Sequence, residues 1–397
     1  MDSVDAAGLG IGDGFPTRIM GVLNVSEESP YDPSVYDDPD EAARYVDEEL
    51  IGEGADIVDI GLESANKRFD VLSAEGELER LHVACETIDR VSGDAIFSIE
   101  TRYHEVADEA LSQGFDMVND ICGFADPEMP TVCEAHDAAV AKMASPPDLE
   151  RPGAVEETDW AARKSPDWAA EADYVDQVYE ALKQNGLTDR TIVDPAFGGW
   201  SEAQTLEDDR ETFRRLREFR ALDRPMLVSI NRKNFLGEIA GRDTDGRLPV
   251  SLAATSLAIE RGAHVIRTHD VAETRDAAAI GDAFAERASV RTDGITVTEL
   301  DVRSTRELRL HLEERGLDPS VADDWRTRVL EVEGLERDDR DRLRSIAAEC
   351  DTTVHDVNAE RSIVLGSEAS ISAVSERIRD KGGQLDRIAS VFQRLLE

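Results

Sequence analysis

The sequence predicts a (β/α)₈ (TIM) barrel followed by a small α+β domain, and three observations support this fold class. Short apolar runs recur along the first part of the chain, stretches of helical length separate them, and each run ends in polar residues. Short β-branched and aliphatic runs are typical of strands that are buried on both faces of a parallel sheet. The polar ends indicate function, because a barrel of this class gathers its active site at the carboxyl ends of its strands.

Eight predicted strands follow one another in the order that a barrel requires. The fifth has the weakest pattern, and with it the barrel closes over residues 17–289. Helices are expected between the strands, for example over residues 40–52, 76–90 and 102–114. The predicted strands are residues 19–25, 57–61, 95–101, 117–120, 138–143, 192–195, 226–233 and 264–270.

The two ends of the chain differ from the barrel. Residues 1–16 are rich in glycine but lack a G-x-G-x-x-G turn after a strand, so we expect a flexible leader. Residues 295–397 alternate between strand-like and helix-like stretches, which predicts a small α+β accessory domain. The last helical stretch, residues 385–396, repeats apolar residues at helical spacing. That face is expected either to pack within the chain or to form a homodimer contact.

The charge of the chain is extreme, at −42 over 397 residues, and acidic residues occur along its whole length. Only six lysines are present, which resembles the cytosolic proteins of salt-loving organisms, where high ionic strength screens self-repulsion. The acidic balance argues against nucleic-acid binding, which needs a basic face. There is no membrane-spanning apolar run and no N-terminal secretion signal, so a cytoplasmic protein is expected.

Seven segments carry motifs in barrel order. They are MGVLNVSEES, GADIVDIGLES, FSIETRYHEVADEAL, GFDMVNDICG, TIVDPAFGG, PMLVSINRKNFLG and GAHVIRTHDV. These segments resemble the dihydropteroate synthases of the pterin-binding barrel family, over roughly residues 17–288, and in particular a haloarchaeal member with an extra C-terminal domain. The resemblance implies a transferase of folate biosynthesis. Its substrates would be 6-hydroxymethyl-7,8-dihydropterin diphosphate and 4-aminobenzoate, and its products 7,8-dihydropteroate and pyrophosphate.

Four residues are candidates for binding a reduced pterin. The 2-amino-4-oxo edge of the ring carries adjacent N–H donors, which suit the carboxylate of Asp194. The amide of Asn119 can donate to one ring atom and accept from another. Lys233 can hold the 4-oxo group and N5, and Glu100 stands where the resemblance implies a further pterin-binding acid.

A second set of residues is suited to an anion. Arg267 and His269 alternate along the eighth strand, so both can face the barrel mouth, and an arginine can make bidentate contacts to pyrophosphate. Asn24 would join them, and its side-chain oxygen could hold a Mg²⁺ ion bound to pyrophosphate. We therefore expect Lys233, Arg267 and His269 to be the catalytic residues, with Mg²⁺ as the cofactor.

The chain departs from the family pattern mainly in its loops. In the family the acid at the end of the third strand is usually aspartate, and here it is Glu100. The second loop usually reads Ser-Thr-Arg-Pro-Gly, and here a different sequence replaces it, in which Ser64 and Arg68 could bind the arylamine. Two alternatives therefore stay open beside the synthase. One is a non-catalytic or altered-substrate pterin-binding paralogue, and the other is a methyltetrahydropterin-binding methyltransferase module.

Overall fold

Eight parallel strands form one barrel sheet in the computed structural model of the chain. The structure describes residues 3–25, 34–63, 71–198, 200–201, 203–285, 289–292, 295–298, 300–325, 327–358, 361–379 and 381–396. The chain divides into two compact units, Met1–Asp301 and Val302–Glu397.

The barrel confirms the predicted fold class, and each predicted strand overlaps an observed one. After a hairpin of β1 (Val4–Ala6) and β2 (Leu9–Ile11), the strands of the barrel are β3 (Arg18–Asn24), β4 (Ile57–Gly61), β5 (Ile96–Thr101), β6 (Met117–Asp120), β7 (Ala139–Met143), β8 (Thr191–Asp194), β9 (Leu227–Val228) and β10 (Val265–Thr268). In the sheet they follow the order β8-β7-β6-β5-β4-β3-β10-β9. Because β9 has only two residues, the barrel closes through a single parallel bridge between Val193 and Met226.

Helices connect the strands, and polar residues at their starts fix several of them. Ser73 caps the helix that begins at Ala74, and capping boxes at Asp173 and Thr205 precede the helices that begin at Tyr174 and Leu206. No helix in the described part of the chain is long and apolar enough to cross a membrane. The helices of the first unit are α1 (Pro39–Tyr45), α2 (Ala74–Arg90), α3 (His104–Ser112), α4 (Met129–Ala135), α5 (Trp160–Arg163), α6 (Pro166–Glu171), α7 (Tyr174–Lys183), α8 (Leu206–Arg214), α9 (Asn234–Ala240), α10 (Leu248–Glu260) and α11 (Val271–Phe284). Shorter 3₁₀ or π segments are Val46–Ile51, Val155–Glu157, Leu216–Leu222 and Asp245–Arg247.

Strand register sets the height of each interior side chain. Asn24, Gly61, Glu100 and Asn119 pair in sequence across β3, β4, β5 and β6, so they lie at one level of the barrel. Since alternate residues of a strand point to the same side, Asp59 lies on the interior two residues below Gly61. The polar residues predicted at the strand ends therefore occupy the top of the interior.

The N-terminal residues form an ordered hairpin, which corrects the flexible leader expected over residues 1–16. Val4, Ala6 and Ile11 are at most 2% exposed, and they join one apolar cluster with the lower interior of the barrel, including Met20 and Ile57. The glycine content was misleading because Gly8 and Gly12 take positive φ angles of 97° and 143°, which belong to tight turns. The hairpin buries the bottom of the barrel interior.

The second unit is a three-stranded antiparallel sheet with helices. The strand over residues 361–367 lies in the centre, between the strands over residues 327–333 and 353–356, and its Val364 is fully buried. Leu385, Ala389 and Phe392 of the last helix are buried in the core of this unit, so this face packs within the chain. The hairpin of β11 (Ser289–Thr292) and β12 (Ile295–Thr298) still belongs to the first unit. The elements of the second unit are α12 (Thr305–Glu314), the 3₁₀ segment Pro319–Asp324, β13 (Thr327–Glu333), α13 (Arg337–Ala348), β14 (Thr353–Asp356), β15 (Arg361–Ser367), α14 (Glu368–Ile378) and α15 (Gln384–Leu396).

The hairpin predicts a measurable effect on stability. Ile11→Ala should lower the free energy of unfolding by about 3 kcal/mol, because it opens a cavity beneath the barrel. Ser3→Ala, an exposed change beside the same hairpin, serves as the control and should stay within about 0.5 kcal/mol of wild type. Urea unfolding at fixed salt measures both, and equal stability of the two variants would contradict the packing of the hairpin.

Candidate active site at the barrel mouth

A buried ionic network crosses the top of the barrel interior. Asp59 on β4 is fully buried, and its Oδ2 accepts hydrogen bonds from Arg267 Nε at 2.7 Å and from Asn119 Nδ2 at 2.9 Å. Arg267 Nη2 donates to Glu100 Oε2 at 2.6 Å. Two of the predicted site residues, Arg267 and Asn119, therefore contact a carboxylate that the sequence analysis did not select, and Glu100 joins the network through Arg267.

Burial and pairing set the charges of this network. Burial raises the pKa of Glu100 to about 7, although Arg267 opposes the shift. Burial also disfavours the charge on Arg267, but Glu100 and Asp59 raise the pKa of its guanidinium above the usual value. Arg267 is therefore a permanent cation. Its Nη1 has no hydrogen-bond partner among the residues that the structure describes, so this nitrogen is available to an anion.

Asp194 and Lys233 form the second part of the site. Asp194 Oδ1 accepts a hydrogen bond from Ala196 N at 2.8 Å, and Oδ2 has no hydrogen-bond partner among the residues that the structure describes. The ammonium of Lys233 lies 5.9 Å from the centre of the Trp200 ring. A Cβ added at Gly198 would lie 2.8 Å from Lys233 Nζ, so a larger residue there would displace the ammonium from this position. Gly198 also has a φ of 120°, which favours glycine.

The pKa values of this pair are shifted towards one another. Burial raises the pKa of Asp194 to about 6, although the Ala196 N–H and the charge of Lys233 oppose the shift. Burial lowers the pKa of Lys233, against the carboxylates of Asp209 and Asp194. Asp209 on α8 accepts hydrogen bonds from Gly198 N at 3.1 Å and Gln204 Nε2 at 2.9 Å, so it also holds the loop beside Lys233.

Asn24 and His269 are linked through Ser34. Asn24 Nδ2 lies 3.0 Å from Ser34 Oγ, and Ser34 Oγ lies 3.4 Å from His269 Nδ1. Burial, together with the positive charge of Arg267, lowers the pKa of His269 to about 3. The imidazole is therefore neutral at physiological pH, and any part it takes in anion binding is as a neutral hydrogen-bonding group.

Two oxygen atoms near this group suit a divalent cation. A Cβ added at Gly61 would lie 3.2 Å from Asn24 Oδ1 and 3.7 Å from Glu100 Oε1, so both oxygens face the space above Gly61. Mg²⁺ prefers one or two protein oxygens together with substrate phosphates and water. The residues present are therefore compatible with a Mg²⁺ ion that arrives with a diphosphate.

A third buried cluster lies near the ends of β4 and β5. Arg102 is 1% exposed; it forms an ion pair with Glu63 and donates through Nη1 to Leu149 O at 2.5 Å. Glu63 Oε2 accepts from Leu72 N at 2.9 Å. Arg102 and Glu63 thus connect residues 72 and 149, which belong to two different loops at the barrel mouth.

A separate group of possible metal ligands occurs at the start of α3. One ligand atom from each of His104, Glu105 and Asp126 lies within 4.8 Å of the others. Asp126 Oδ2 accepts from His104 N at 3.0 Å and lies 2.8 Å from His104 Nδ1. These bonds fix the start of the helix, which agrees with a structural role for His104.

The predicted site residues divide into those that the structure describes and those that it does not. Asn24, Glu100, Asn119, Asp194, Lys233, Arg267 and His269 all lie at or beside strand ends at the mouth. Ser64 and Arg68 lie outside the described residues. Sequence reasoning missed Asp59, Ser34 and Asp209. Of these, only Asp59 could have been found from the sequence. It is an aspartate inside an apolar strand, and because a buried charge needs a partner, its position indicates a polar contact inside the barrel.

Comparison with known proteins identifies the family. A family model described as pterin binding enzyme matches residues 20–269, and the chain belongs to that family. Its relatives are dihydropteroate synthases. One is the enzyme of Bacillus subtilis, 30% identical over 275 residues that cover 69% of this chain and 90% of the relative.

Two further similarities extend this comparison. The probable bifunctional folylpolyglutamate synthase/dihydropteroate synthase of Halobacterium salinarum is 34% identical over 68% of this chain, but the match spans only 32% of that longer relative. The dihydropteroate synthase of Thermus thermophilus, solved in complex with 4-aminobenzoate, is 30% identical with a TM-score of 0.55. That match covers 71% of this chain and 99% of the Thermus chain.

The raised pKa of Asp194 predicts the pH dependence of pterin binding. Below a pH of about 6 the carboxylate gains a proton and loses acceptor strength, so the affinity for a dihydropterin diphosphate should fall as the pH drops from 7 to 5. Asp194→Asn should bind about 100-fold more weakly at pH 7.5 and lose most of this pH dependence. Fluorescence titration measures the affinity. Glu100→Gln is the control and should keep the decline near pH 6, and an undiminished decline in Asp194→Asn would contradict the assignment.

Proposed function

We propose that this chain is a dihydropteroate synthase. It joins the exocyclic methylene of 6-hydroxymethyl-7,8-dihydropterin diphosphate to the amino nitrogen of 4-aminobenzoate. The carbon–oxygen bond to the diphosphate breaks, a carbon–nitrogen bond forms, pyrophosphate leaves, and the arylamine nitrogen loses a proton to solvent. One observation carries the proposal: an open carboxylate oxygen, a buried ammonium and a fixed guanidinium converge at the mouth of a pterin-binding-family barrel.

The pterin would be held by its polar edge. Asp194 Oδ2 accepts from the adjacent N–H donors of the 2-amino-4-oxo edge, and Asn119 contacts the same ring from β6. The ammonium of Lys233 donates to the 4-oxo group and N5. Glu100 would complete the set, and its extra methylene relative to aspartate brings its carboxylate within 2.6 Å of Arg267 Nη2.

The main barrier is the departure of pyrophosphate, because an arylamine is a modest nucleophile. Arg267 Nη1, which has no hydrogen-bond partner in the described part of the chain, would stabilise the charge that develops on the leaving oxygen, and Asp59 and Glu100 already orient the guanidinium. Neutral His269 can donate one hydrogen bond to the same anion. Lys233, Arg267 and His269 are therefore the proposed catalytic residues, with Ser64 and Arg68 proposed on the arylamine side.

We also propose that the leaving group binds together with Mg²⁺. Asn24 Oδ1 would hold the ion, whose charge would offset that of the pyrophosphate oxygens. The nearby Glu100 Oε1 faces the same space.

The net charge of the chain indicates the ionic strength at which the protein works. With a net charge of −42, self-repulsion is strong in dilute buffer and weak at high ionic strength. We therefore propose a halophilic cytoplasmic enzyme that is active at high ionic strength.

Pyrophosphate release tests the proposed reaction. In about 1 M KCl with Mg²⁺, the purified chain should release pyrophosphate from the pterin diphosphate only when 4-aminobenzoate is present. Lys233→Ala should lower kcat/KM about 100-fold, because it removes a charged donor to the pterin. Lys381→Ala, an exposed lysine of the second unit, is the matched control and should behave as wild type.

The outcomes separate the alternatives. Tight binding of the pterin diphosphate without release would favour the non-catalytic or altered-substrate paralogue, and other arylamines would then be assayed. Methyl transfer from a methyltetrahydropterin without pyrophosphate release would favour the methyltransferase module.

The helices α10 and α11 offer a surface for a second copy of the chain. Between Leu248 and Ile259, α10 has no charged residue, although 33% of the chain is charged. Leu257, Ile280 and Phe284 are 48%, 57% and 74% exposed, and a groove of about 370 Å³ lies between the two helices. Glu273 and Asp276 of α11 also line the groove, so the uncharged part of this face is the α10 side. A strongly acidic chain is least repelled by its own copy where charge is sparse, so we propose a homodimer through this face.

Mass measurement tests the dimer. Light scattering in about 1 M KCl should give twice the chain mass of 43.7 kDa, and Ile280→Asp should yield the monomer because it places a charge in the contact. Val329→Asp, at a residue of the second unit that is 63% exposed, should leave the mass unchanged. A monomeric wild type, or a dimer that Ile280→Asp does not affect, would contradict this surface.

A further inference from the structure

Asp59 occupies an unusual position beneath the proposed pterin site. It is fully buried, and its carboxylate binds two site residues through the same oxygen, Oδ2. The other oxygen, Oδ1, has no hydrogen-bond partner in the described part of the chain. A buried carboxylate with an unsatisfied oxygen lowers stability, so stability alone does not explain the residue.

The contact with Asn119 determines which way its amide faces. An ionised carboxylate can only accept hydrogen bonds, so the amide must turn Nδ2 towards Asp59. Asn119 Nδ2 lies 2.9 Å from Asp59 Oδ2, and Asn119 Oδ1 has no partner among the described residues. The amide therefore presents an acceptor to the ligand, beside the acceptor Asp194 Oδ2.

The second contact fixes the guanidinium of Arg267. Nε is held by Asp59 and Nη2 by Glu100, at 2.7 Å and 2.6 Å. One carboxylate thus orients both a proposed pterin-binding residue and the proposed leaving-group residue. Because Asp59 is fully buried, it acts through these neighbours and does not touch the substrate.

We propose that Asp59 is a positioning residue that sets the hydrogen-bond polarity of the pterin pocket. By holding the Asn119 amide with Oδ1 outward, it makes the pocket select rings with a 2-amino donor, as in pterins, over rings with a 2-oxo acceptor, as in lumazines. The inference rests on the proposed function, since it assumes that a pterin occupies this site.

The test compares the affinities of two ring systems, 6-hydroxymethylpterin and 6-hydroxymethyllumazine, by fluorescence titration without turnover. The wild type should strongly prefer the pterin. Asp59→Asn keeps the size of the side chain but lets the Asn119 amide turn over. The ratio of pterin to lumazine affinity should then fall about 10-fold or more, because an acceptor becomes a donor.

Two further variants distinguish a change in the hydrogen-bond polarity of the pocket from a general disturbance of its structure. Ser98 pairs with Asp59 in the sheet, is fully buried and has no hydrogen-bond partner among the described residues, so Ser98→Ala should leave the ratio unchanged. The double variant Asp59→Asn/Asn119→Asp exchanges the two residues, so the side chain at position 119 again presents an acceptor to the ligand. It should restore the ratio to within about 3-fold of wild type, since the donor and acceptor are only exchanged.

The possible results lead to distinct conclusions. An unchanged ratio in a folded Asp59→Asn variant would overturn the inference while leaving the synthase intact. If Asp59→Asn does not fold, an exchange variant that binds pterin without the preference would overturn it. Failure of the wild type to release pyrophosphate, with the ratio still shifted in Asp59→Asn, would remove the proposed reaction but keep the role of Asp59. A wild type without preference for the pterin would overturn the inference.

Discussion

The arrangement of the barrel mouth depends on one buried ion pair, between Asp59 on β4 and Arg267 on β10. These strands flank β3 in the sheet, so the pair spans the interior above it. Burying two charges costs several kcal/mol unless they are paired with good geometry, which constrains both side chains closely. Asn119 and Glu100 are then placed by their bonds to the same pair. The site is thus oriented before a ligand arrives, which is the property that favours stabilisation of a developing charge.

The interior of the barrel is divided between an apolar floor and this polar upper layer. The N-terminal hairpin, with Ile11 fully buried, completes the floor together with Met20 and Ile57. An apolar floor excludes water from below and keeps the local dielectric low, which strengthens the hydrogen bonds and ion pairs above it. Burial in the upper layer raises the pKa values of the Glu100 and Asp194 carboxyl groups. Stability and chemistry are therefore coupled through the same interior.

The sequence predicted the barrel well because its strands are buried on both faces and end in polar residues, a local pattern. It also selected Asp194, Lys233 and Arg267, which the structure places near one another at the barrel mouth, and their roles stay predictions. It failed for the N-terminal hairpin, where turn glycines resembled those of a flexible leader. It also missed Asp59 and Asp209, whose roles depend on neighbours 208 and 11 residues away in the chain. The apolar strand around Asp59 marks it as a buried acid, but the identity of its partners, like that of the partners of Asp209, is revealed only by the folded chain.

The most direct test is a crystal structure of the chain with a dihydropterin diphosphate bound. The account predicts that the 2-amino-4-oxo edge lies against Asp194 Oδ2 and Asn119 Oδ1, and that the diphosphate contacts Arg267 and His269. The hydrogen bond between Asn119 Nδ2 and Asp59 Oδ2, 2.9 Å in the free chain, should be kept. A ring bound away from Asp194, or an Asn119 amide turned so that Nδ2 no longer faces Asp59, would contradict it.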